Sequence, residues 1–309
     1  MTASLGLAEF DPEGAAHVAA LTALLSRATL SDGQPPFNDQ TLADARAGTN
    51  FVVLAFEGDR LDSDSLVGAA AVTDDTLELV IAPDARRRGH GEALTAHMLT
   101  SRTGPLLVRL LEPFVAAHPA PTLAWAHGDH PGARALAARH DFEPVRTLLQ
   151  LRMPLTAEMP PPPGVTRVEA FVPGQDDESW VELNARVFHG HPEQGRLTVD
   201  DLHARMADDW FDANDFLIAR SPDGEMIGYN WLKVEPGDTV GEIYVIGVDA
   251  SHSGQGLGRE LMLRGLAHLL GRGCRTAALY VEEDNTPAVP LYRSLGFTDH
   301  TIDVQYRRR

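Results

Sequence analysis

Twice along the chain a short apolar run leads into a turn rich in glycine, and apolar residues then recur every three or four positions. The first run, Leu77-Glu-Leu-Val-Ile81, passes through Arg86-Arg-Arg-Gly89-His-Gly91 to Leu94 and Met98. The second, Glu242-Ile-Tyr-Val-Ile246, passes through Ser253-Gly-Gln-Gly256-Leu-Gly258 to Leu257, Leu261, Met262, Leu266 and Leu269. Each series predicts a strand, a loop and an amphipathic helix. Such a junction aims unpaired backbone N–H groups and the positive end of a helix dipole at one spot, where an anionic pyrophosphate can sit with no lysine. Gly254, Gly256 and Gly258 let the backbone approach that ligand closely.

Downstream of the second loop come Tyr280-Val-Glu-Glu-Asp-Asn285 and a helix that carries Tyr292 and closes with Ser294-Leu-Gly-Phe297. Downstream of the first, His130 to Phe142 repeats the spacing of Asn285 to Phe297, and Arg86 stands where Ser253 stands, 253 − 86 = 167 residues earlier. A repeat of this length predicts two copies of one fold. In the first copy Ala137 replaces Tyr292 and Asp141 replaces Gly296, so the anion cradle is kept and the hydroxyl is lost. A length of 309 residues agrees with two domains of about 150 each. Glu158-Met-Pro-Pro-Pro-Pro-Gly164 can continue neither a helix nor a central strand. The predicted division is therefore 1–157, a linker over 158–164, and 165–309.

With 43% apolar and 23% charged residues, each half can bury an ordinary core. The formal charge, 26 − 44 = −18, repels phosphates outside a locally positive pocket and excludes nucleic acid as an expected partner. No run approaches the roughly 20 apolar residues of a membrane span, and the chain opens without a secretory pattern, so a cytoplasmic protein is expected. The single cysteine, Cys274, rules out an intrachain disulfide and reads as a small packed thiol. Thirteen histidines are present, yet neither His189 with His191 nor Asp208 with Asp209 has a ligand spacing, and no metal is expected. Arg307 to Arg309 reads as a solvated tail or the edge of a last strand.

The order of strand, loop, helix, strand and Asn285-x-x-Ala288-x-x-x-Tyr292-x-x-x-Gly296-Phe297 resembles the GCN5-related N-acetyltransferases. Ser253 departs from the Arg or Gln usual in that loop. The resemblance implies an α/β protein of two tandem domains, each a mixed, largely antiparallel sheet splayed at its fourth strand and flanked by helices. It implies acetyl-CoA as cosubstrate, with a cradle in each domain. In the second, the contacts implied are Ile246, Gly247, Val248, Ser253, Gly254, Gln255, Gly256, Leu257, Gly258, Arg259, Asn285, Thr286, Pro287, Ala288, Val289 and Pro290. In the first they are Leu79, Val80, Ile81, Arg87, Arg88, Gly89, His90, Gly91 and Glu92.

Acetyl transfer from a thioester to an amine needs a neutral amine, a stabilised oxyanion and a proton for the departing thiolate. Tyr292, a phenol protonated at neutral pH, is placed to serve the thiolate. Glu242 is the candidate base for the amine; period-two alternation puts it on one face with Tyr244, Ile246 and Val248. Pro290 falls well inside the helix that bears Tyr292 and predicts a kink or a late helix start.

Beyond this core, Phe188-His-Gly-His-Pro-Glu193-Gln-Gly195, Trp210-Phe-Asp212 and Gly228-Tyr-Asn-Trp-Leu-Lys233, with the tandem layout, resemble the mycothiol synthase family. That resemblance implies an acceptor amine on a cysteinyl-glucosaminyl-inositol, an amino-glycoside, contacted by Asp39, Glu193, Lys233, Glu242 and Tyr280. The second domain is then expected to catalyse and the first to be mainly structural, in a monomeric or weakly associating protein. Other readings remain open: an N-acetyltransferase for an aminoglycoside, a polyamine or a protein N-terminus, or a non-catalytic acyl-CoA-binding protein.

Overall fold

The structure, a computed structural model, describes residues 5–58, 65–99, 120–158, 160, 166–190 and 194–309. The chain forms two compact units, Met1–Leu149 with Thr301–Arg309, and Gln150–His300.

The first unit runs β1 (Leu5–Glu9), α1 (Ala15–Asp32), α2 (Asp39–Ala47), β2 (Phe51–Glu57), β3 (Leu66–Thr73), β4 (Thr76–Ile81), α3 (His90–Leu99), β5 (Leu123–His127), α4 (Pro131–Arg139) and the start of β6 (Phe142–Pro154). Strands β1 to β4 are antiparallel neighbours, while β4 and β5 run parallel and pair only at Thr76↔Leu123 and Leu77↔Ala124 before they part. β2 is apolar from Phe51 to Phe56 because both its faces are covered. Val52, Leu54 and Phe56 pack with Leu21, Leu24 and Ala28 of α1, and Phe51, Val53 and Ala55 pack with Leu94 and Met98 of α3.

The second unit repeats the plan as β7 (Arg167–Ala170), α5 (Asp177–Val187), α6 (Val199–Met206), β8 (Phe216–Arg220), β9 (Met226–Lys233), β10 (Val240–Val248), α7 (Leu257–Gly271), β11 (Thr276–Glu282) and α8 (Ala288–Leu295), followed by β12 (Thr298–Arg308). Again β7 to β10 are antiparallel and β10 pairs parallel with β11, from Val240↔Thr276 to Ile243↔Leu279. One face carries an aromatic core in which Phe216 stacks on Trp231 at 4.4 Å and Trp180 meets Trp231 edge-on at 5.6 Å. The apolar stripe of α7, with Leu257 and Leu261, covers Ala219 and Ile227 on the other face.

The units do not divide at the proline-rich segment. The end of β6 belongs to the second unit, where the Leu155 N–H donates to the Arg275 carbonyl at 2.8 Å. In return β12 serves the first unit, pairing Asp303 to Arg307 with His127 to Leu123. The alternation of β6 and β12 carries no mark of which sheet each will join, which is why the sequence suggests a simple division. Of the expected linker, residues 159 and 161–164 lie outside the described residues. Arg307 and Arg308 end β12, and the Arg309 side chain reaches Glu143 at 2.7 Å. Among the described residues no helix is long and apolar enough to cross a membrane, and no cluster of three or more His, Cys, Asp or Glu could hold a metal.

Candidate active site

In the second unit the ladder between β10 and β9 runs Glu242↔Lys233 and Ile243↔Leu232, then slips to Val245↔Trp231, leaving Tyr244 as an extra residue. A slip of one residue exchanges the faces of everything after it. Tyr244 and Val245 both join the aromatic cluster, whereas Ile246 and Val248 pack on Leu257 and Leu261 of α7. Glu242 therefore shares its face with Tyr244 but not with Ile246 or Val248, a correction to strict alternation. The bulge falls where the register to β11 ends, so from Tyr244 to Val248 β10 has no ladder partner on β11 among the described residues. That open edge can accept an amide-bearing arm as an added strand.

The loop after β10 has the geometry an anion needs. Gly254 (φ 74°) and Gly256 (φ 88°) occupy the left-handed region, and a Cβ on either would meet nothing within 4 Å. The amides of residues 254–259 find no acceptor among the described residues, while the Glu260 N–H closes the first turn of α7 onto the Gly256 carbonyl at 3.0 Å. Open space in front of a fan of unpaired amides fits a pyrophosphate. Ser253 and Gln255 are exposed in this loop, and a Cβ on Gly258 would come only into ordinary contact, 3.8 Å, with Val248 and Leu291. Two predicted contacts play other parts: the Leu257 side chain is buried in the core, and the Arg259 guanidinium donates to the Ser294 Oγ at 2.9 Å, tying α7 to α8.

Asn285 stops the turn before α8, its Oδ1 accepting the Ala288 N–H at 3.1 Å. Thr286 and Pro287 are exposed beside it, with Val289 partly buried. Because α8 starts at Ala288, Pro290 is its third residue, in the first turn where an amide has no intrahelical acceptor. The late start, not a kink, accommodates it. Gly296 (φ 103°) ends the helix, and the Phe297 N–H returns to the Tyr292 carbonyl at 3.1 Å. Tyr292 is 7% exposed, and burial pushes its phenol up to about 12. Its hydroxyl has no partner among the described residues.

Glu242 stands directly opposite Lys233 across β9 and β10. The Lys233 ammonium lies 5.3 Å over the Trp210 ring and 2.9 Å from Glu235, so its charge is held by an aromatic face and a carboxylate. The Tyr244 hydroxyl accepts from Arg205 Nε at 3.2 Å, and Trp210 packs on the Tyr244 ring at 5.2 Å. Tyr280 on β11 is 46% exposed and its hydroxyl takes a hydrogen bond from Gln150 at 2.5 Å. The structure thus groups Glu242, Lys233, Tyr244, Trp210 and Arg205; Tyr244 and Trp210 stand in segments singled out in the sequence but were given no site role there, and Arg205 carried no motif. Glu193 lies outside the described residues. Asp39 is the exposed first residue of α2 in the first unit; the cap there is Asn38, whose side chain accepts the Thr41 N–H.

The first unit contains a cavity of about 990 Å³ between the parting ends of β4 and β5. It gathers Leu79, Val80, Ile81, Arg87, Arg88, Gly89, Gly91 and Glu92, and Trp125, His127 and Ala137 also line it. Arg87 (φ 59°) and Gly89 (φ 90°) reproduce the conformations of Gly254 and Gly256. His90 is the exception among the predicted contacts: it is 2% exposed, absent from the cavity wall and 3.8 Å from Glu57. Arg86 is bound by Asp32 through two bonds of 2.7 Å, which makes it a structural brace and explains how Ser253 can replace it. At the cavity wall His127 lies between two carboxylates, Nε2 at 2.9 Å from Glu78 and Nδ1 at 3.1 Å from Asp303. Asn38 donates to Glu78 at 2.6 Å and the Gly128 N–H to Asp303 at 3.1 Å. Burial opposes the imidazolium, but the bonds to Asp303 and Glu78 outweigh it and raise His127 to about 9. With both nitrogens donating, the ring has no lone pair for a substrate proton.

A splayed parallel pair, an amide cradle at a helix start and a tyrosine on the next helix define an acyl-CoA-dependent N-acetyltransferase. The model of the acetyltransferase (GNAT) family matches residues 178–297, covering most of the second unit. Across nearly the whole chain the similarity extends to the mycothiol acetyltransferases of Thermomonospora curvata (42% identity, 96% of this chain and 94% of the relative) and Thermobispora bispora (43%, 94% and 95%). The chain belongs to the mycothiol acetyltransferase family. In fold it is similar to a GCN5-related N-acetyltransferase from Sphaerobacter thermophilus (TM-score 0.71, 21% identity, 98% and 95% covered). It is also similar to a tandem GNAT protein from the clavulanic acid biosynthesis pathway (TM-score 0.69, 19% identity, 98% of each chain).

Proposed function

We propose that the protein transfers the acetyl group of acetyl-CoA to the cysteinyl amine of cysteinyl-glucosaminyl-inositol, giving mycothiol. The observation that carries the reading is the placement of Glu242, opposite Lys233 on a strand whose edge opens where its bulge begins. Acetyl-CoA supplies the acetyl group as a thioester. The amides of residues 254–259 would hold its pyrophosphate and the open edge of β10 its pantetheine amides.

Glu242 takes the proton of the incoming ammonium, since only the neutral amine is a nucleophile. The N–H at Ile246 polarises the thioester carbonyl. Tyr292, held protonated at any pH below about 11 by its raised pKa, donates a hydrogen bond to the leaving sulfur and escorts to it the proton the acylated nitrogen gives up. Lys233 and Tyr280 present polar groups to a hydroxyl-rich acceptor, and the family resemblance assigns Glu193 and Asp39 to the same task.

The first unit holds a second acetyl-CoA without turning it over. Ala137 stands in place of Tyr292, and the saturated imidazolium of His127 cannot act as a base. The protein works as a monomer, in the cytoplasm, with no nucleic-acid partner. The test is to incubate it with acetyl-CoA and the glycoside and to identify the product. N-acetylation leaves a thiol that still reacts with a disulfide reagent, whereas a product without that thiol counts against the proposed acceptor atom.

A further inference from the structure

Gly247 lies in the middle of the acyl-CoA strand, directly across from Tyr229 on β9. A Cβ at Gly247 would fall 2.7 Å from Tyr229 Cζ and 2.8 Å from its hydroxyl, so the tyrosine ring lies flush on the strand backbone. Tyr229 is fully buried, and its hydroxyl donates to Asn184 Oδ1 at 2.7 Å. Asn184, also fully buried, in turn donates through Nδ2 to the Gln194 carbonyl at 2.6 Å. A buried phenol and a buried amide are costly unless paired, and here each is satisfied by the other and by one loop carbonyl. The chain of contacts runs from β10 through Tyr229 on β9 and Asn184 on α5 to the turn Gln194–Arg196. No cofactor or acceptor group is needed to complete it.

We propose that Tyr229 and Asn184 are positioning residues: a buried strut that fixes the Gln194 turn relative to the acyl-CoA strand, and thereby holds the acceptor amine in line with the thioester. This rests on the reading above, because Gln194 follows directly on Glu193, which that reading assigns to the acceptor. A core made only for stability would not need a polar relay here. Phenylalanine and leucine would fill the same space, and the relay ends on the carbonyl that opens the single helical turn Gln194–Arg196 instead of on a strand of the sheet. Specificity for the acceptor is where such a strut acts, since a loop that drifts loses orientation before it loses the fold.

Tyr229→Phe keeps the ring against Gly247 and removes only the hydroxyl. The expected result is a KM for the acceptor raised about tenfold, as for one lost buried hydrogen bond, with the KM for acetyl-CoA within about twofold of the parent. Asn184→Asp, which keeps the acceptor for Tyr229 and removes the donor to Gln194, should give the same split. In both variants amide exchange at Gly195 and Arg196 should accelerate more than tenfold while the strands of the second unit stay protected. A lowered melting temperature with both KM values unchanged, or equal rises in both, overturns the proposal. Exchange at Gly195 is read without any substrate. If the parent acetylates some other amine, the glycoside reading fails by itself, and the split is then measured with that amine.

Discussion

The imidazolium of His127 makes a prediction whose size follows from its surroundings. In the unfolded chain histidine titrates near 6.5, and in the folded first unit Glu78 and Asp303 hold His127 at about 9. A folded pKa raised above the unfolded one stabilises fully below about pH 6.5, and that stability is lost as pH climbs through 9. The gap, at roughly 1.4 kcal/mol per pH unit, corresponds to about 3 kcal/mol. For a domain of this size that amounts to roughly 6 to 12 °C of melting temperature. The perturbation is His127→Gln. The assay is amide exchange at Ala124 to Ala126 and Val304, where β5 meets β12, for both proteins between pH 6 and 10 after correction for intrinsic exchange. The difference between parent and variant should shrink by about 3 kcal/mol across that range. A difference that stays constant with pH would mean that His127 is neutral in the folded protein, and the ionic account of the network would be refuted.

Other substitutions separate the two units and the two proton carriers. Tyr292→Phe should lower turnover by roughly ten- to a thousandfold with acetyl-CoA binding little changed; unchanged turnover would remove the hydroxyl from the mechanism. Glu242→Gln should depress activity most near neutral pH and recover in part under alkaline conditions, where more amine is already neutral, and a pH profile parallel to the parent's would reduce Glu242 to a positioning role. Gly256→Val, at φ 88°, should abolish acetyl transfer, whereas Gly89→Val, at φ 90°, should remove one equivalent of bound CoA in calorimetry and leave most turnover. Equal loss of turnover from both, with folding intact, would contradict the assignment of catalysis to the second unit.

Much of this was legible because its physics is local. Glycines 254 and 256 mark left-handed positions and a helix start within a few residues of one strand, and the spacing from Asn285 to Phe297 lies within one helix and its caps. What was not legible depends on distant partners or on backbone register. The bulge at Tyr244 changes the face of Ile246 without leaving a trace in the apolar pattern. His127, Glu78 and Asp303 come from three strands, the last of them added by the end of the chain. The exchange of β6 and β12 was hidden because an alternating strand suits either sheet equally. Pro290 looked like a defect only until the first residue of α8 was known.

The central claim, that the second unit acetylates a cysteinyl glycoside, is tested most directly by kcat/KM for that glycoside against free cysteine and spermidine under identical acetyl-CoA saturation. Contacts to the remote sugar should orient the reacting amine, so the glycoside is predicted to exceed cysteine by at least about a hundredfold, and Lys233→Ala should erase much of that margin while leaving cysteine little affected. Comparable values for all three amines, or a margin that survives Lys233→Ala intact, would contradict the account.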